Sequence, residues 1–172
     1  MIEATKDRLE EAHFFLGKLR REKQRQEQLA RNDPKEFRYY VHAFLSAARN
    51  VRWTLQWEET VKYEAWTDTW AAKDSDSDRE LLKLVNDQRV AVTHRGGAET
   101  TAIAERVTIR ESAHPVTGHH FFRPPGMDPP STILDVHYFE FEGKSEEVIA
   151  TCQRYVEYLE RMVQDFMKAH PE

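Results

Sequence analysis

Cysteine is almost missing from this chain: Cys152 is the only one in 172 residues. An internal disulfide framework is therefore impossible, and the composition fits a reducing cytosol. No apolar run comes near the roughly 18 residues that a membrane-spanning helix needs. The first residues, Met1 to Asp7, hold no basic segment leading into an apolar stretch, so a secretory signal is not expected. These absences predict a cytoplasmic protein without membrane attachment. Catalytic signatures are scarce as well. There is no Gly-x-Ser-x-Gly, no glycine-rich phosphate loop and no dinucleotide fingerprint. His114, His119, His120 and His137 come close together in sequence, but three of them fall in a proline-rich stretch without helical His-x3-His spacing. Zinc needs ligands at defined spacings, so neither a metal site nor a cofactor is expected.

What is present reads as one globular domain. Hydrophobic residues make up 40% and charged residues 32%, which separates the chain from disordered sequences. The length allows a real core. A formal net charge of -5 speaks against coating nucleic acid through bulk electrostatics. Residues 18 to 31 are a local exception. Lys18, Arg20, Arg21, Lys23, Arg25 and Arg31 face only Glu22 and Glu27, and six positive minus two negative charges leaves +4. That segment is either a solvated helix extension or an RNA-contacting arm.

Periodicity predicts a mainly α fold with one antiparallel strand pair. Leu9, Ala12, Phe15, Leu16 and Leu19 mark a first helix over residues 2–31, whose second half lacks an apolar stripe and should project into solvent or reach a partner. Asp33-Pro34-Lys35-Glu36 is a capping signal for a second helix carrying Phe37, Tyr40, Phe44, Ala48, Val51 and Leu55 on one face. A short third helix holds Tyr63, Trp66 and Trp70. A fourth begins in Asp74-Ser75-Asp76-Ser77-Asp78 and ends near His94, before Gly96-Gly97. The period then changes to two, predicting strands near 101–111 and 132–142. Between them, residues 113–131 contain Pro115, Pro124, Pro125, Pro129 and Pro130 and read as a long loop. A last helix, with Ser145 as its expected cap, carries Val148, Cys152, Tyr155, Leu159, Met162 and Phe166 at spacings of four and three. It packs on the bundle or forms part of a dimer seam.

Few residues are left to carry chemistry. Trp53, Trp57, Trp66 and Trp70 form two pairs spaced by four, a pattern commoner in cores than in base-stacking surfaces. Arg38, His42, Arg49 and Arg52 lie along one side of the second helix, as a solvated stripe or a phosphate-facing surface. The sharpest feature is Arg89-x4-His94, preceded by Asn86-Asp87-Gln88. A guanidinium can hold a phosphate while an imidazole transfers protons near neutral pH, which is enough to cut a phosphodiester without a metal. The last turn of a helix favours the imidazolium. Five helical steps turn through about 500°, however, so the two side chains diverge by about 140° on a regular helix. They reach one phosphate if the helix end is distorted or if two subunits meet across an axis.

Four or five helices with Arg-x4-6-His late in the last bundle helix, together with the stretch from Phe37 to Val51, resemble the HEPN superfamily. The resemblance covers about residues 5 to 97. It implies a four-helix HEPN-like bundle over 1–97, with 98–172 as an added β-hairpin, Pro-rich loop and amphipathic helix packed on it, all within one structural domain. It also implies a homodimeric, metal-independent endoribonuclease or RNA-binding effector, of the kind found among toxins and paired with an antitoxin protein. By that motif Arg89 would be the phosphate-binding arginine and His94 the acid-base histidine; Arg38, His42, Arg49, Arg52 and Asn86 are this sequence's own candidates for substrate binding. Val90 departs from the pattern, since a polar residue commonly follows that arginine. The alternative is a non-catalytic interaction or dimerisation module, and a third option is a small-ligand or nucleotide pocket under the Pro-rich loop.

Overall fold

The computed structural model describes residues 2–29, 34–94, 100–108 and 131–171. Five helices account for most of them: α1 (Glu3–Leu29), α2 (Pro34–Glu58), α3 (Thr60–Ala71), α4 (Asp76–His94) and α5 (Val148–Ala169). An antiparallel sheet of β1 (Thr100–Thr108), β2 (Ser131–Phe141) and β3 (Lys144–Glu147) lies between α4 and α5 in sequence, in the order β1-β2-β3. The fold is mainly α with an added antiparallel hairpin, as the change of period predicts.

Each helix buries the stripe that its spacing marks. Ala12, Leu16 and Leu19 of α1 are buried, as are Phe37, Val41, Phe44, Ala48, Val51 and Leu55 of α2. Leu81, Leu84, Val85 and Ala91 of α4 join them, and α5 alone buries ten residues from Val148 to Phe166. Side chains from all five helices and from β2 form one hydrophobic cluster.

Polar contacts fix the helix directions. Thr5 meets Glu58 and Arg25 meets Glu36, so α1 and α2 run antiparallel. His13 meets Glu160 and Lys23 meets Glu147, so α1 and α5 are antiparallel too. Asp78 pairs with Arg161 at 3.0 Å, whereas Arg89, further along α4, acts on the earlier residue Tyr155; α4 and α5 are therefore antiparallel. α1, α2, α4 and α5 thus alternate in direction around one core, and α3 covers one end through Trp66 on Phe166 and Trp70 on Tyr158.

Four details differ from the sequence reading. Ser145 does not cap the last helix; it lies in β3, where its hydroxyl donates to Glu140, and Glu147 is the cap, accepting from the Ala150 amide at 2.8 Å. β3 was not expected, because four polar residues (Lys144, Ser145, Glu146, Glu147) carry no alternation to reveal them. The second half of α1 does not stand clear of the molecule as far as Arg25. Glu22 is buried, Arg20 meets Gln153, Lys23 meets Glu147, and Arg25 bridges Glu22 and Glu36. Finally, Trp53 and Trp57 are not core residues but 61% and 79% exposed. Gly96-Gly97 and residues 113–130 of the Pro-rich loop, with His114, His119 and His120, lie outside the described residues.

Candidate functional site

Arginines from two helices act on one side chain of a third. On α2, the Arg52 Nε donates to the Tyr63 hydroxyl at 2.6 Å, and the Arg49 guanidinium lies 4.8 Å from the centre of the Trp53 ring. On α4, the Arg89 Nη2 donates to the Asn86 side-chain oxygen at 3.1 Å. All three charges act on Tyr155 of α5. Burial pushes that phenol up to about 12, and Arg52, Arg49 and Arg89 all pull it the other way. Burial also works against the Arg52 charge, but the phenols of Tyr63, Tyr158 and Tyr155 around it more than offset that, and its pKa is raised. Tyr63 and Trp53 are neutral rings, which position the Arg52 and Arg49 guanidinium groups, while the Asn86 amide holds Arg89.

A second layer holds this corner in place. Tyr158 donates to Asp74 at 3.1 Å, Arg161 lies over the Tyr158 ring, and Trp70 donates from its indole to Asp165 at 3.1 Å. Burial first, then the Asp74 charge, raises the Tyr158 pKa. The Gln88 side chain, fully buried, donates to the Glu140 carbonyl at 3.2 Å and ties α4 to β2 one residue before Arg89.

The sequence-derived site residues divide accordingly. Arg49, Arg52 and Arg89 act on the same phenol, Tyr155, and Asn86 holds Arg89. Arg38 and His42 share the same side of α2 but sit about 16 Å and 10 Å along the helix from Arg49. His42 is half-buried, and burial, followed by the Arg38 charge, holds its imidazole below the ordinary histidine range. His94 is the final residue of α4, about 7.5 Å along the axis from Arg89. α4 is α-helical without interruption to that point, so no break within it turns the two positions onto one face. His137, the described member of the histidine group, is buried in β2 and stacks on Phe37 at 4.1 Å. Tyr155 and Tyr63 had no signal of their own in the sequence: each reads as one more apolar position in a stripe.

No helix among the described residues is long and apolar enough to cross a membrane. Comparison with protein-family models, with curated proteins and with solved structures returned no match.

Proposed function

We propose that the protein is a HEPN-like RNA-binding effector that grips RNA phosphates with Arg49, Arg52 and Arg89, and that it acts as a metal-independent endoribonuclease through His94. What supports this reading is that the guanidinium groups of Arg52, Arg49 and Arg89, from α2 and α4, all act on Tyr155, with Tyr63 and Trp53 holding the first two and the Asn86 amide the third. Arginines on one side of an otherwise acidic chain are the residue type that holds phosphate oxygens, which supports an anion site here.

In the reaction, the 2'-hydroxyl of one nucleotide attacks the adjacent phosphorus and the bond to the 5'-oxygen breaks. His94 transfers the protons between these oxygens, and Arg89 offsets charge on the phosphoryl oxygens. The products are a 2',3'-cyclic phosphate and a 5'-hydroxyl. Because α4 is regular, Arg89 and His94 act on one phosphate from two subunits, as copies related by a two-fold axis. A homodimer is therefore part of the proposal, and a cytoplasmic setting with an antitoxin-like partner accords with it.

The test is incubation of purified protein with single-stranded RNA in EDTA. We expect cleavage with cyclic-phosphate ends, abolished by His94→Ala. Equal background from wild type and variant would favour the rival reading of a non-catalytic interaction module. That rival draws on the exposed aromatic groups of α2, Trp53 and Trp57.

A further inference from the structure

Trp53 and Trp57 are exposed on the outer face of α2 at 61% and 79%, an unusual amount of bare indole for a surface helix. They are one helical turn apart, with ring positions rising about 6 Å along the axis, which adjacent bases of an extended strand can bridge. The Arg49 guanidinium sits on Trp53 at 4.8 Å and leaves most of that ring open. The face is also positively charged. Arg38 and Arg49 border it, and no Asp or Glu occurs between Phe37 and Trp57, although acidic residues number 30 of 172 overall.

These features choose among occupants. A second copy docked symmetrically on this face would set Arg49 against its own counterpart, and like charges across an interface are unfavourable. A polyanion with flat, unpaired rings matches both the charge and the indoles. Single-stranded nucleic acid is such a ligand: its backbone tracks cationic side chains while successive bases stack on aromatic ones. We propose that Trp53 and Trp57 form a base-stacking platform for a single RNA strand, continuous with the phosphate-gripping arginines. The proposal rests on the RNA reading above and specifies that the substrate strand is unpaired and runs along α2, away from Tyr155.

The test compares two labelled probes by fluorescence anisotropy: a twelve-residue oligouridylate and an abasic oligomer of the same backbone and length. We expect Trp53→Ala and Trp57→Ala each to weaken oligouridylate binding by about 5- to 100-fold, from the usual loss of one stacked base, with abasic binding unchanged. Trp57→Phe should restore most of the affinity. Arg89→Gln should weaken both probes alike. If Arg89→Gln weakens binding and the tryptophan variants match wild type, the platform is refuted while the RNA reading stands. If neither probe binds wild type, the RNA reading itself fails. Equal competition by poly-glutamate against oligouridylate would overturn the platform in favour of an acidic protein partner. A fall in mass on Trp57→Ala, seen by light scattering, would overturn it in favour of self-association.

Discussion

His42 is the clearest single residue to titrate, because its environment opposes its charge. Burial and the neighbouring Arg38 depress its folded pKa below that of the unfolded chain. The neutral form is therefore favoured by folding, and the unfolded state binds the extra proton first. The stability linked to this group is fully present above the unfolded value of about 6.5 and is lost as pH falls through the lower folded value. Denaturant midpoints measured from pH 8 down to pH 5 should decline for wild type and flatten in that window for His42→Gln. Val90 is the second informative position, since the resemblance expects a polar side chain there. If its hydrogen bond is what the site lacks, Val90→Asn should raise RNA cleavage by about tenfold, the equivalent of one good hydrogen bond. A rate identical to wild type would mean that the position is irrelevant to the chemistry.

At the level of elements, tertiary contacts supply what local sequence does not. The start of α1 is capped by Glu58 from the far end of α2, whose carboxylate accepts from the Ala4 and Thr5 amides at 2.9 Å each and from the Thr5 hydroxyl at 2.6 Å. Glu58→Ala should cost about 1–3 kcal/mol, read as a lower denaturant midpoint with an unchanged slope, because it leaves those donors without a carboxylate. The β2–β3 turn shows a local rule instead. Glu142 and Gly143 hold φ values of 48° and 76°, the left-handed pair that a two-residue hairpin turn requires. Glu142→Asn should raise the melting temperature by a few degrees, since asparagine tolerates that conformation far better.

The same contrast explains what was legible in the sequence. The buried stripes of α2 and α5 were readable because their 4-3-4 spacing repeats over many turns. Trp53 and Trp57 were misread because spacing by four says that two residues share a face, not that the face is inward. Trp66 and Trp70 have the same spacing, yet they pack on Phe166 and Tyr158. The arginines were visible as a row on α2, but their link with Arg89 runs through Tyr155 of α5, more than sixty residues later in the chain. Nothing local could reveal it.

The molecule as a whole must reconcile a net charge of -5 with a cationic face on α2. A dimer that places the C-terminal ends of both α4 helices near its axis would put two Arg89 and two His94 around one cleft. Light scattering behind a sizing column at micromolar protein should report twice the 20.3 kDa chain mass, and a credible interface buries at least about 1,000 Å² in total. A monomer would remove the only route by which a regular α4 brings both residues to one phosphate. The arginine cluster itself is tested most directly by the salt dependence of binding. Anisotropy titrations of single-stranded RNA over about 50 to 200 mM salt give log Kd against log salt, whose slope counts the phosphates neutralised. For wild type we expect a steep dependence, with the slope falling by about one for each of Arg49→Gln, Arg52→Gln and Arg89→Gln. Slopes that stay at the wild-type value in all three variants would contradict a phosphate site at this corner of the bundle.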